Sequence, residues 1–173
     1  MCHKKVDIPY KLKASIIIVS TSRFEAKLKS KEYTDVSGDL IEESLINEGI
    51  EIVLRDIVLD SPSAILDAIR RSLYLSADLI IISGGSGVSY SDISYDTIKS
   101  IIDSELISYP ILYTSLSYEE VSTHAIASRV IAGFIRDTLV FLIPGSPNAV
   151  KTALKIILKE YKHLIWLRRF NRR

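Results

Sequence analysis

Leu79-Ile80-Ile81-Ile82-Ser83-Gly84-Gly85-Ser86-Gly87 is the stretch of this sequence that decides its fold. The β-branched apolar run predicts a strand over residues 78–82 that is buried on both faces, which is typical of a parallel sheet covered by helices. Three glycines among residues 83–87 then allow a tight turn in which backbone N–H groups point toward one place. Ligands of open α/β sheets bind beyond the carboxyl ends of the strands, so this turn marks the edge where we expect the site.

The residue pattern of this turn permits two interpretations. Its backbone N–H groups, together with the hydroxyls of Ser83 and Ser86, suit phosphate binding. It lacks the Gly-Lys-Ser/Thr ending of a Walker A loop and the Gly-x-Gly-x-x-Gly pattern of a dinucleotide-binding turn. A tight strand-to-helix connection that binds nothing explains the same residues equally well, and both interpretations stay open at this point.

On both sides of this stretch, short β-branched runs alternate with segments of helical period. The other strands are predicted at residues 15–20, 50–58, 130–135 and 138–143. Helices are predicted from Asp35 to about Glu48, from Ser61-Pro62 onward, after Asp92, near residues 118–127 and from residue 147 onward. Residues 21–34 are predicted to be a polar loop. The sequence therefore predicts an α/β fold, a single three-layer domain over residues 1–173 with a mostly parallel sheet flanked by helices.

The composition is that of a packed globular protein and excludes general disorder. The chain has 173 residues, of which 47% are hydrophobic and 25% are charged, and its net charge is +1. A charge so near zero sets up no field that would recruit nucleic acid or a membrane surface. Because the apolar runs are too short to cross a bilayer and no signal peptide follows Met1, we expect a cytoplasmic protein with no membrane or nucleic-acid partner. The single cysteine, Cys2, cannot form an internal disulfide.

The residue composition also bears on the source organism. The chain has 27 isoleucines, no glutamine and three asparagines. This depletion of thermolabile side chains favours a thermophile, although an AT-rich genome would also raise the isoleucine content.

Four arginines follow Trp166, namely Arg168, Arg169, Arg172 and Arg173. We expect them to form a solvated or subunit-contacting end of the chain and not a nucleic-acid-binding arm.

Two carboxylates stand where predicted strands end and helices begin. Asp60 follows the strand at residues 50–58, and Asp92 lies shortly after the glycine-rich turn. The ordinary role of aspartate in such a place is a helix N-cap. At neighbouring strand ends, the two could instead hold Mg²⁺, which would neutralise phosphate oxygens during a transfer reaction.

A third strand end and an arginine complete the candidates. The sequence Pro144-Gly145-Ser146-Pro147 predicts a capped helix start, and a helix N-terminus attracts anions. Arg129 could contact an anion, although a structural ion pair is its more ordinary role. The residues alone predict a phosphate-binding α/β domain, and a Mg²⁺-dependent nucleotide enzyme is the candidate activity.

Several short motifs occur in a fixed order along the chain. They are Asp35-x-Ser37-Gly38, Ser83-Gly84-Gly85-Ser86-Gly87, Asp92-Ile93-Ser94-Tyr95-Asp96, Ser128-Arg129 followed by Ala132-Gly133, and Pro144-Gly145-Ser146-Pro147-Asn148-Ala149. In order and spacing they resemble the MoaB/MogA family of molybdenum-cofactor biosynthesis proteins, and most of all its archaeal-type MoaB branch. The resemblance covers residues 14–162, so residues 1–13 and 163–173 are expected to be terminal extensions.

The resemblance implies a molybdopterin-binding fold that assembles as a trimer or a dimer of trimers. It implies transfer of AMP from ATP to the terminal phosphate of molybdopterin, with Mg²⁺ as cofactor and release of pyrophosphate. A metal-insertion protein would be a partner, because the product is used to insert molybdenum or tungsten. Carried over by motif, the catalytic and metal-binding residues are Asp60 and Asp92. The phosphate- and substrate-binding residues carried over are Ser20, Ser83, Gly84, Gly85, Ser86, Gly87, Pro144, Gly145 and Ser146.

One segment departs from the family pattern Gly-Phe-Gly-Glu-x-x-Arg. Ile111 stands at the glutamate position, Thr114 at the arginine position, and Pro110 replaces a glycine. Each loss removes a charge-assisted hydrogen bond worth roughly 1.5–3 kcal/mol, so we expect pterin binding to be weakened or altered. The alternative function is therefore a catalytically impaired paralogue that serves as a pterin-binding or scaffold subunit. A pyrophosphate-bond hydrolase of the competence-damage type is less favoured, because its Gly-Leu-Gly-Pro-Thr loop is absent.

Overall fold

The strands form one six-stranded sheet in a computed structural model that describes residues 8–171. They are β1 (Lys13–Val19), β2 (Glu51–Val58), β3 (Leu79–Ser83), β4 (Ser104–Glu105), β5 (Ile131–Ile135) and β6 (Thr138–Ile143). Their order in the sheet is β2-β1-β3-β6-β5-β4. The neighbouring pairs β2–β1, β1–β3 and β3–β6 are parallel, whereas β5 is antiparallel to both β6 and β4. The predicted mostly parallel sheet is confirmed, and the short edge strand β4 is the one strand that the sequence analysis missed in the described range.

Helices cover both faces of this sheet. They are α1 (Thr21–Leu28), α2 (Val36–Asn47), α3 (Pro62–Tyr74), α4 (Ser94–Lys99), α5 (Ser108–Val121) and α6 (Pro147–Phe170), and a 3₁₀-helix spans Ser122–Ala127. Alternate residues of β1 face opposite cores: Ile16 and Ile18 pack with α2, α5 and α6, while Ile17 packs with α3 and α4. The predicted three layers are therefore present. Over residues 8–171, no helix has the length and apolar character needed to cross a bilayer.

The predicted helix starts are confirmed by their capping hydrogen bonds. Asp35 Oδ1 accepts from the N–H of Gly38 at 3.0 Å at the start of α2. The hydroxyl oxygens of Ser61 and Ser146 cap α3 and α6 in the same way, and in both helices proline follows the capping serine. These side chains satisfy N–H groups that have no partner inside the helix, which is why the three helices begin where they do.

Two segments differ from the prediction. Residues 21–34 were expected to be a loop, but α1 occupies the first part of that range. None of its residues is fully buried, and its apolar residues are only Phe24, Ala26 and Leu28. A single helix, α5, begins at Ser108, well before the predicted helix near residues 118–127. Pro110 lies in its first turn, where a missing N–H breaks no helical hydrogen bond.

The C-terminal arginines that the structure describes are docked on the fold. Arg169 forms an ion pair with the buried Asp78 and donates to the hydroxyl of Tyr10. Arg168 donates to the carbonyl of Arg136 at 2.9 Å. We expected a solvated or subunit-contacting end, but these two residues contact partners within the chain that lie far away in sequence. Cys2, Arg172 and Arg173 lie outside the described residues.

Asp56 on β2 joins two helices at the edge of the sheet. Its Oδ1 lies 3.1 Å from Lys27 Nζ of α1, and its Oδ2 lies 2.7 Å from Arg71 of α3. Burial by itself raises the pKa of Asp56, but the hydrogen bonds from Arg71 and Lys27 outweigh burial. The pKa therefore lies below its ordinary value of 3.8.

We expect Asp56→Asn to lower the free energy of unfolding by about 1 kcal/mol at neutral pH, because an ion pair at the protein surface contributes no more than that. Since the folded pKa is lower than the unfolded one, this stabilisation is complete above the unfolded pKa and is lost as the pH falls through the folded pKa. Urea unfolding of both proteins over a series of decreasing pH values measures the difference. A difference that stays constant across the series would contradict the assignment.

Candidate active site

The candidate site lies at the carboxyl ends of neighbouring parallel strands. The hydrogen-bond ladder continues past the strand ends: the N–H of Ser20 donates to Val58 O at 2.9 Å, and the N–H of Gly84 donates to Ile143 O at 3.1 Å. The structure thus brings together the segments that follow β1, β2, β3 and β6. The predicted site residues lie at or just after these strand ends, with two exceptions. Asp92 lies just past the glycine-rich loop of residues 83–87, and Arg129 precedes β5.

Two glycines of this loop are required by its geometry. Gly84 has φ +108°, and a Cβ on it would lie 2.3 Å from the carbonyl oxygen of Val19. Gly85 has φ +61°, and a Cβ on it would lie 2.4 Å from Ser94 Oγ. Both backbone conformations are ones that other residues rarely adopt. The tight turn is therefore real, and its Gly84 lies directly against the last residue of β1, Val19.

Serine hydroxyls connect the loop of residues 144–146 to the glycine-rich loop and to α2. The buried Ser83 donates to Pro144 O at 3.1 Å, so its hydroxyl hydrogen is used to join the two loops. Ser37, at the start of α2, donates to Gly145 O at 2.7 Å. Ser37 was not among the predicted site residues, although the Asp35-x-Ser37-Gly38 motif was a signal for it.

Asp60 is held in place by the start of α1. Its Oδ2 accepts hydrogen bonds from both the N–H and the hydroxyl of Thr21, each at 2.9 Å. Its Oδ1 faces Gly85, lying 3.1 Å from the position of a Cβ on that residue. The cap of α3 is Ser61, so Asp60 is not a helix N-cap. Its carboxylate instead lies beside the glycine-rich loop.

Asp92 lies at the other end of the same loop. Helix α4 has no side-chain cap, so the N-cap interpretation is wrong for Asp92 as well. Its Oδ2 accepts from the N–H of Ser89 at 3.0 Å, and a Cβ on Gly87 would lie only 2.6 Å from the same oxygen. The two candidate catalytic carboxylates therefore flank the glycine-rich loop, one at Gly85 and one at Gly87.

Arg129 braces this part of the loop. Its guanidinium donates to Gly87 O at 2.7 Å, to Asp92 O at 2.6 Å and to the carboxylate of Asp96 at 2.9 Å. It also lies over the ring of Tyr95, 5.2 Å from the centroid. The expected structural ion pair is confirmed, and it fixes the backbone on which Asp92 is carried.

A cavity of about 300 Å³ opens beside Asp92. It is lined by Val88, Ser89, Tyr90, Asp92, Ile93, Asp96 and Arg129. No cluster of three or more histidine, cysteine, aspartate or glutamate side chains within residues 8–171 could hold a metal ion by itself. Asp60 and Asp92 carry the oxygen ligands that Mg²⁺ prefers, and phosphate oxygens or water would have to complete its coordination.

The altered segment lies on α5, with its two tyrosines turned away from solvent. Tyr109 packs edge-on against Phe141, with 5.0 Å between ring centroids, and burial raises its pKa well above the ordinary value. Tyr113 is buried in the same core, whereas Ile111 and Thr114 lie exposed on the surface of the helix. The tyrosines therefore do not replace the charged side chains missing at positions 111 and 114.

The chain is similar to known proteins over nearly its whole length. The profile of a family described as "Probable molybdopterin binding domain" matches residues 15–163. A "Probable molybdopterin adenylyltransferase" of Methanocaldococcus jannaschii is 33% identical, with 94% of this chain and 96% of that protein aligned. A "Molybdopterin adenylyltransferase" of Pyrococcus furiosus is 38% identical, with 94% of each chain aligned. The crystal structure of the tungsten cofactor synthesizing protein MoaB from Pyrococcus furiosus superimposes with a TM-score of 0.84 at 36% identity, covering 94% of this chain and 99% of that one.

Proposed function

Because the chain belongs to the MoaB/MogA family of molybdenum-cofactor biosynthesis proteins, we propose that it transfers AMP from ATP to molybdopterin and releases pyrophosphate. The observation that carries the proposal is the pair of carboxylates, Asp60 and Asp92, on either side of the glycine-rich loop. Two relatives that match nearly the whole chain bear the name of this activity.

The reaction needs no general base. An oxygen of the terminal phosphate of molybdopterin attacks the α-phosphorus of ATP, and a new phosphorus–oxygen bond forms. The bond from the α-phosphorus to the bridging oxygen breaks, and pyrophosphate leaves with that oxygen. Because both reactants are anions, their repulsion is a main part of the barrier, and catalysis rests on positioning and on positive charge.

The residues of this site supply both requirements. The N–H of Gly84 is used by the sheet, so the backbone N–H groups of residues 85–87 are the ones that bind phosphate oxygens. The helix starts after Ser20 and Ser146 add favourable partial charge at the same edge. Asp60 and Asp92 each have one oxygen that accepts from a neighbouring backbone N–H, and the second oxygen accepts no hydrogen bond from the described residues. These second oxygens are suited to Mg²⁺, which would neutralise the phosphate oxygens and the leaving pyrophosphate.

A second candidate function rests on α5. The exposed Ile111 and Thr114 carry no charge that could contact a substrate. A paralogue that had lost its chemistry would bind the pterin, as part of a trimer or a dimer of trimers, and would hand it to a metal-insertion protein. Light scattering tests the assembly, and a plain monomer would count against the oligomer proposed here.

The deciding experiment follows pyrophosphate release with the purified protein, ATP, Mg²⁺ and molybdopterin. We expect release that requires the pterin. Pterin binding without release would favour the scaffold function instead. The double variant Ile111→Glu/Thr114→Arg further distinguishes the transferase from the scaffold function. A large gain in the rate of pyrophosphate release would show that the missing charges limit the activity of the natural protein.

A further inference from the structure

Ser94 has a buried hydroxyl that makes no hydrogen bond with any part of the chain described by the structure. The residue stands at the start of α4, and its backbone N–H donates to Gly85 O at 3.0 Å. The Ser94 hydroxyl therefore takes no part in the contact that its main chain makes with the glycine-rich loop. A buried hydroxyl without a partner costs folding free energy, so a separate reason is needed for its presence.

The hydroxyl is directed at the space above Gly85. A Cβ on Gly85 would lie 2.4 Å from Ser94 Oγ and 3.1 Å from Asp60 Oδ1. The missing side chain of Gly85 thus leaves a small polar space with a donor on one side and a carboxylate oxygen on the other. The other oxygen of that carboxylate, Oδ2, is already held by Thr21.

The two other buried polar groups without partners are placed differently. Ser15 lies on β1, where it pairs with Leu54 and Ile80 inside the sheet. The hydroxyl of Tyr109 lies in the core against Phe141. Among the unpartnered buried groups of residues 8–171, Ser94 alone faces the glycine-rich loop.

We propose that Ser94 is a positioning residue for Asp60, an inference that rests on the proposed function. When Mg²⁺–ATP binds, the Ser94 hydroxyl donates a hydrogen bond to Asp60 Oδ1, directly or through one water seated above Gly85. With Thr21 on Oδ2 and Ser94 on Oδ1, both oxygens of the carboxylate are oriented. A residue that donates such a hydrogen bond to a metal-binding carboxylate raises the metal affinity without contacting the metal.

The first test compares Ser94→Ala with the natural protein. We expect the dissociation constant of ATP with Mg²⁺, measured by calorimetry on the full chain, to rise about tenfold. The melting temperature without ligand should stay the same or rise, since an unsatisfied hydroxyl is removed. Ser15→Ala is the matched control, because it deletes another buried, unpartnered hydroxyl and should leave the affinity unchanged. Equal affinity of Ser94→Ala and the natural protein would overturn the proposal.

The second test asks whether the effect passes through Asp60. In an Asp60→Asn background, Ser94→Ala should change the affinity by about twofold or less, because coupled residues are not additive. A tenfold loss in both backgrounds would overturn the role assigned to Ser94. A natural protein that binds Mg²⁺–ATP yet releases no pterin-dependent pyrophosphate would count against the proposed function alone.

Discussion

Replacing Asp92 by alanine is expected to lower pterin-dependent pyrophosphate release by about 10²–10³-fold, the usual loss when a charge-stabilising group is removed from an active site. The substitution deletes one of the two carboxylates beside the glycine-rich loop and also the acceptor for the N–H of Ser89. Because Asp92 is only partly buried, the stability of the fold should change little. Initial rates at several Mg²⁺ concentrations measure the effect.

Two further variants separate charge from loop structure at Asp92. Asp92→Asn keeps a side-chain oxygen that can accept from Ser89 but removes the charge, so a similarly large loss is expected. Asp67→Ala removes an exposed carboxylate of α3 that pairs with Arg70 and Arg71, and it should leave the rate unchanged. Full activity in Asp92→Ala would show that the metal and catalytic roles assigned to Asp92 are wrong.

Gly84→Ala is expected to lower the free energy of unfolding by about 3 kcal/mol or more. A positive φ costs roughly 1–2 kcal/mol in any residue with a Cβ, and overpacking against a fixed neighbour adds about 1–3 kcal/mol. At Gly84 the neighbour is the carbonyl oxygen of Val19, which belongs to β1, a strand paired on both sides, and cannot move away freely. Urea unfolding monitored by circular dichroism gives the value.

Gly49 provides the matched control for this prediction. Its φ is +78°, but no atom lies within 4 Å of the position that a Cβ would take. Gly49→Ala should therefore show only the conformational cost, about 1 kcal/mol. Equal destabilisation by the two substitutions would mean that the contact between the glycine-rich loop and β1 contributes nothing.

Two local features escaped prediction for a common reason. Helix α1 is held by the capping oxygen of Ser20 and by the ion pair between Lys27 and Asp56 of β2. Helix α5 is held by Tyr109 and Tyr113, which enter the hydrophobic core. Helix α1 has only three apolar residues, and the apolar residues of α5 lie on all sides of the helix, so neither segment shows a single apolar face. Tertiary contacts stabilise both.

The sequence by itself determined what depends on neighbours within a few residues: the buried parallel strands, the capped helix starts and the glycine-rich turn. It also placed Asp60 after a strand and Asp92 past the glycine-rich turn, and it carried the family motifs. The tertiary structure alone decided how these parts hold one another. Thr21 binds Asp60, Ser83 binds Pro144, and Ser37 binds Gly145. Each contact joins residues far apart in the chain, so it depends on strand order and register, which the pattern of a single segment does not specify.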